Sequence, residues 1–469
     1  MNQIVWGYKD RQTIFFGPLQ PFAVEMGPVS IKQQLITMKY PLYLVLVLLL
    51  GVSQSACTDK CTETRVFKRF TPVLLTANQI RQNIGTEAVR TLQAPGKIYT
   101  KNGFLFINEI KEGIHIVDNR NPEAPKMVSF IRIPGNGDMA VRNNILYADS
   151  YMDLVAFDIS DVTNIRPIKR INNVFPSGQF NGGSWFVNSV TGDVHDQRID
   201  YVKDEIQTNC EEGINPTNWM FNTLAFDSRS MSAAPSTGGV QQTTNGTAGS
   251  MARFALYDNY LYTVNSSELQ LFDIQNPAEP KTGNKVQLGW GIETIFPYGD
   301  KLFIGSQSGM HIYDNRNPQK PERMSVFEHA RVCDPVVVHG NKAYVTLRSG
   351  TNCQGFTNQL DVVDISNLFR PKLIKSYPMR NPHGLGIDFP NLFICEGAYG
   401  LKTFDASDAQ NIDKNLRENI DNIDAYDVIP LGKSLLLIGR DGFYQYDYSN
   451  PRKLRLMSKI PVQRPGAVS

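Results

Sequence analysis

Glu293, Asp334, His383, Arg331, Trp290 and Tyr426 stand at matching places in a series of similar segments. Aligned on their tight turns, the segments put Gly96, Gly137, Ala252, Glu293, Asp334, Gly384 and Tyr426 at one position, with Asp138, Trp290, Arg331, His383 and Asp427 close by. If the segments surround a common opening, the small residues leave room there and the polar ones converge on it. Such a set could hold a polar ligand, a glycan for instance, or a hard cation, because oxygen ligands suit calcium. The expected ligand-binding centre is Glu293, Asp334 and His383, with Trp290, Tyr426 and Arg331 around it. A polar, wet mouth with nothing bound is the alternative. Two carboxylates at the spacing that glycosidases use would make the same opening a catalytic one.

Other chemistries find no support. The six histidines show no His-Glu-x-x-His or His-x-His spacing, and neither a Gly-x-Ser-x-Gly elbow nor a phosphate-binding Gly-rich loop occurs. No catalytic residue is assigned and no cofactor is expected beyond the calcium option. The net charge of +2, from 47 basic and 45 acidic residues, offers no field for nucleic acid. Six cysteines in 469 residues are too few for a disulfide scaffold. Cys333, at the start of one expected strand, and Cys353, in a lengthened loop SGTNCQGFTN, reach the same face of one segment. They are expected to approach closely enough to bridge in an oxidising compartment, the alternative being two free thiols.

The elements that must position these residues are short strands. Asn358 to Tyr377 reads as an apolar alternating run ending in Asp364, a polar turn through Pro371, and a second run. The phrase recurs, and its closing aspartates are Asp118, Asp158, Asp273, Asp314, Asp364, Asp405 and Asp447, separated by 40, 115, 41, 50, 41 and 42 residues. A period of about 40 to 45 residues with four strands per unit is the signature of a propeller blade. The fold expected is therefore all-β, a seven-bladed β-propeller of four-stranded blades. The aspartates are read as structural: a carboxylate followed by Asn-Pro can accept backbone N–H groups as an Asx-turn, while proline fixes φ where no ladder donor is wanted.

The strands LDVVD (Leu360 to Asp364) and IHIVD (Ile114 to Asp118) carry a resemblance to the LVIVD repeat family of bacterial cell-surface proteins, over roughly residues 96 to 462. That resemblance implies a propeller on an exported, often lipid-anchored protein. It implies no reaction and carries over no catalytic residue.

The domain plan expected is an upstream extension over 1–37, a signal peptide over 38–56, a tether and lead-in over 57–95, the propeller over 96–462 and a tail over 463–469. The run from Tyr40 to Val52 has the length of a secretory apolar region and is too short to span a bilayer. Ser55 and Ala56 before Cys57 resemble a lipoprotein cleavage site, which makes Cys57 the expected lipidation point; an ordinary signal peptide with a spectator Cys57 is the alternative. The interval of 115 residues contains an insertion over about 172–250, in which GSWFVNSVTGDVHD could make one hairpin. By connectivity it emerges on the face of the loops between second and third strands, where it would roof the site or merely be a tolerated loop. The function expected is a lipid-anchored binding or scaffold module of the cell envelope, at the outer membrane or cell surface, with a protein or glycan partner. A glycan-active enzyme and a purely structural envelope protein are the competing readings.

Overall fold

The computed structural model describes residues 60–82, 84–180, 183–209, 247–250, 252–329, 335–349 and 357–463. By contacts the chain divides into a larger unit, Cys61–Thr208 with Glu212–Ser469, and a small one of Met1–Lys60 with Asn209–Glu211. The larger unit is all-β, with one helical turn of five residues at Ala77–Arg81. Among the described residues no helix is long and apolar enough to cross a membrane.

Each of the seven repeat aspartates ends the third strand of an antiparallel meander, as in Val336–His339, Lys342–Leu347, Gln359–Asp364 and Lys372–Pro378 around Asp364. The last meander closes with Arg455–Pro461 paired beside Gly442–Asp447 as its outermost strand. Each third-to-fourth pairing slips register once, for instance between Val362 and Val363. Such bulges add twist to the outer edge of a sheet. The first meander departs from four strands. Gly85–Glu87, from the lead-in, pairs outside it, and Thr247–Ala248, from the end of the insertion, pairs inside it.

The first strands lie against one another in chain order, from Pro95–Lys101 to Met139–Arg142, Phe254–Tyr257, Ile292–Tyr298, Val336–His339, Leu385–Asp388 and Ala425–Leu431. Pro95–Lys101 also packs on Ser434–Gly439 of the last meander. Between sheets the core is filled from one recurring place. The third residue of the second strands is Phe106, Tyr147, Tyr262, Phe303, Tyr344 or Phe393 in six repeats, all fully buried. A ring of that size removes about 150 to 250 Å² from water, which makes it the main apolar contribution of each repeat.

The aspartates act as expected and do one thing more. The backbone N–H two residues on donates to the carboxylate at Asp118 (3.1 Å), Asp158 (2.9 Å), Asp273 (2.8 Å), Asp314 (3.1 Å), Asp364 (2.8 Å), Asp405 (2.9 Å) and Asp447 (2.9 Å). Three residues later a second Asn or Asp repeats the bond, as when Phe369 N–H donates to Asn367 at 3.0 Å. The doubled turn holds the carbonyl four residues past the aspartate toward the preceding sheet. There it accepts a hydroxyl: Ser129 to Val162, Tyr147 to Pro277, Tyr262 to Pro318, Ser325 to Leu368, Tyr377 to Ala409 and Ser458 to Pro122, at 2.6 to 2.8 Å. Between the sixth and seventh sheets the Tyr448 hydroxyl donates to Asp388 instead, at 2.8 Å.

Tyr377→Phe should therefore cost about 1 to 3 kcal/mol, because it leaves a buried carbonyl and the Ile412 N–H without their shared partner. A lowered urea midpoint with unchanged m-value is the expected result.

Candidate functional site

At three of the expected mouth positions the space beside the glycine is filled. A Cβ on Gly96 would meet the Asn108 side-chain oxygen at 2.2 Å, one on Gly384 would meet Asp427 Oδ1 at 2.2 Å, and one on Gly137 would meet the Phe180 ring at 2.5 Å. The small residues make room for the protein's own side chains, so the space expected there for a ligand is taken. The end of the insertion also returns through this region. Thr247–Ala248 pairs with Pro95–Lys101, and buried Ser250 accepts the Leu385 N–H at 2.9 Å while donating to Asp427 at 3.4 Å.

Of the four expected ligand-binding residues that are described, His383 and Tyr426 meet. The His383 and Tyr426 rings lie 5.3 Å apart, both buried. His383 Nε2 shares a 3.1 Å bond with the Asn381 amide, and burial holds its imidazole well below the ordinary value, so it is neutral. Glu293 is half-buried and accepts from Gln307 at 3.1 Å, and loss of water raises its pKa. Trp290 is 73% exposed and does not help to close a pocket. Arg331 and Asp334 lie outside the described residues, as do Cys57, Cys333 and Cys353. The Glu293–Asp334–His383 centre thus falls partly outside the described residues, and among the described residues no group of three His, Cys, Asp or Glu side chains that could hold a metal ion occurs.

The buried ionisable groups near the first strands serve the packing. Asp138 pairs with Lys97 and accepts the N–H groups of Arg253 (2.6 Å) and Phe254 (3.1 Å), tying the second and third repeats across the insertion. Asp149 accepts from Gly137 N at 2.7 Å and Asp138 N at 2.9 Å, and burial pushes its carboxyl up to about 6. Asp427 is pushed well above the carboxylate range by burial.

A cavity lies elsewhere, under the insertion. Ser177–Phe180, Gly183–Val187 and Val194–Asn209 form a sheet with Lys60–Leu75, and GSWFVNSVTGDVHD makes the expected hairpin, with Phe186 opposite His195. Part of the lead-in, Lys60–Leu75, is thus a strand of this sheet. Its underside and the loops of the first two repeats enclose about 380 Å³, lined by Val73, Leu75, Ile110 and Ile199, with Lys111, Tyr151 and Asp196 at the polar end. Lys111 and Tyr151 sit in the turns between second and third strands of adjacent repeats, at φ of 67° and 50°. Among the described residues with such a φ, they alone are neither Gly, Asn nor Asp. Both are held by one carboxylate, that of buried Asp196: the Lys111 ammonium donates at 2.8 and 2.7 Å and the Tyr151 hydroxyl at 2.7 Å. Left-handed backbone at such residues costs about 1 to 3 kcal/mol each and persists where surroundings impose it, often at functional sites. Asp196 ends the segment read from the sequence as a hairpin, but no signal linked it to Lys111 or Tyr151, which are about 85 and 45 positions away by subtraction.

Comparison with known proteins gives one match in sequence: the LVIVD repeat model fits residues 248–286 and 331–378. The chain carries LVIVD repeats. No curated protein matches it. Solved structures similar to it include the computationally designed Ika8 protein (8% identity, 80% of this chain and 91% of that one, TM-score 0.46). BamB from Moraxella catarrhalis (8%, 81% and 98%, 0.44) and Saccharomyces cerevisiae Sqt1 (12%, 76% and 95%, 0.42) are others.

Gly137→Ala should displace Phe180 and loosen the insertion, read as faster amide exchange over residues 177–200 with residues 292–378 unchanged. A second outcome concerns pH. Asp149 has a raised folded pKa, so the stability it contributes is full below about pH 4 and is lost as pH rises through about 6. Asp149→Asn, which keeps an acceptor for Gly137 N–H, should flatten the fall in urea midpoint between pH 4 and 6.

Proposed function

We propose that this chain, with its LVIVD repeats, is a binding and scaffold module built as a closed seven-bladed β-propeller, with its ligand site in the cavity beneath the insertion. Support for the ring comes from the chain-order contacts of the first strands and the return contact of the first repeat with the last. One observation carries the site: the two strained loop residues, Lys111 and Tyr151, converge on Asp196 at the wall of a 380 Å³ space. A largely apolar pocket with a few converging polar groups is the usual form of a small-ligand site. What is observed is a seat built from Asp196 with Lys111 and Tyr151, so binding is proposed ahead of the glycosidase reading. Export and a lipid anchor at Cys57 complete the reading, placing the module in a bacterial cell envelope. Its support is the apolar run and the Ser-Ala-Cys sequence alone.

The test is a thermal-shift screen of small molecules against the wild-type protein and Val73→Trp, which fills the cavity. A ligand at a hundredfold excess over its Kd adds about 2.7 kcal/mol, enough to raise Tm by degrees. Hits lost in a Val73→Trp protein that melts normally without ligand are expected; hits that persist in it, or a screen without hits, overturn the site. For the anchor, Cys57→Ala should leave the detergent phase that retains the wild type, and its retention there overturns the lipid claim.

A further inference from the structure

The polar end of this cavity has the form of an ammonium seat. Lys111 Nζ donates one hydrogen bond to each Asp196 oxygen, at 2.8 and 2.7 Å, and a third to the Gln197 carbonyl at 2.9 Å. A primary ammonium carries three donors, and all three are met. The face of Phe180 lies 5.3 Å from the same nitrogen, within cation–π range. The two partners are unequal. The Asp196 side chain is 4% exposed, fixed by the Tyr151 hydroxyl and built into a strand, whereas the Lys111 side chain is 24% exposed and hangs from a left-handed turn residue. The Lys111 ammonium is thus the more exposed member of the pair. Asp196 can leave only with the strand that carries it.

We propose that the cavity binds a primary alkylammonium, with the chain's own Lys111 occupying the seat until the ligand displaces it. The exchange swaps one ammonium for another, so the buried carboxylate keeps its counter-charge throughout. The ligand's carbon chain then lies along Val73, Leu75, Ile110 and Ile199, which the Lys111 stem does not fill, and burial of that chain is the net gain of the swap. The seat around Asp196 takes a cation rather than a carboxylate, and a quaternary ammonium lacks the three donors. The ligand is thus a free alkylamine or a lysine side chain presented by a peptide. This inference rests on reading the cavity as the binding site.

Calorimetric titration with n-hexylammonium, methylammonium, hexyltrimethylammonium, hexanoate and Nα-acetyl-lysine amide tests it on the wild type, Lys111→Ala and Asp196→Asn. Hexylammonium should bind the wild type, bind Lys111→Ala at least about tenfold more tightly because the internal competitor is gone, and lose binding in Asp196→Asn. Methylammonium should be weaker, and hexyltrimethylammonium and hexanoate should not bind. The relative affinity of Nα-acetyl-lysine amide separates a peptide source from a free amine. If Lys111→Ala loosens the insertion, judged by amide exchange over 183–200, Lys111→Met keeps the stem and takes its place. Equal affinity in wild type and Lys111 variant, binding that survives Asp196→Asn, or hexanoate binding as well as hexylammonium overturns the proposal. Should the thermal-shift screen find a Val73→Trp-sensitive ligand that is not an amine, while hexylammonium fails, the cavity stands as the site and the ammonium assignment falls.

Discussion

The hydroxyl bond that crosses from one sheet to the turn of the next is the contact on which the arrangement of repeats depends. Four-stranded meanders are too small to stand alone, and packing between them is apolar and therefore weakly directional. The doubled Asx-turn supplies direction. Two side-chain oxygens, three residues apart, accept the backbone N–H groups two residues on and leave one carbonyl pointing outward. A serine or tyrosine of the preceding sheet then fixes both the spacing and the rotation of the pair. The same bond spans the second and third repeats through Tyr147 and Pro277, although the insertion separates them in sequence. It also joins the last repeat to the first through Ser458 and Pro122.

The insertion is accommodated by omissions in the repeats. Gly137 has no side chain where Phe180 now lies, and Thr247–Ala248 pairs inside the first sheet before Ser250 reaches Asp427 and the Leu385 N–H. These contacts carry one excursion from the second repeat to the inner strands of three others. Its sheet is completed by Lys60–Leu75, so the lead-in and the insertion stabilise each other. Between them they enclose the place where strained backbone, a buried carboxylate and an apolar cavity meet.

Much of the fold was legible in the sequence because its determinants are local. The period of the aspartates, the Asx-turn they form and the alternation of the strands are set by residues within a few positions of one another, and the chain repeats them. The two lengthened intervals hold the added strands of Ser177–Phe180, Gly183–Val187 and Val194–Asn209 and the wider gap between Lys342–Leu347 and Gln359–Asp364. Room at the candidate site was not legible, for the opposite reason. Alignment put Gly96, Gly137 and Gly384 at the mouth and read them as room, but whether a missing Cβ leaves a space or admits a neighbour depends on residues far along the chain. Asn108, Phe180 and Asp427 fill those places.

The sequence by itself, then, determined the repeating unit: the short strands, the turn chemistry and the spacing of the aspartates. Only the tertiary structure decided where binding chemistry resides. Lys111, Tyr151 and Asp196 belong to three separate elements, two hairpin turns of ordinary repeats and one strand of an insertion with no repeat counterpart. No periodicity relates them. They meet because the insertion folds back over the first two repeats, where burial of Phe180 and Trp185 against Tyr151, at ring distances of 6.0 and 5.4 Å, holds the sheet down and brings one carboxylate between two strained loops.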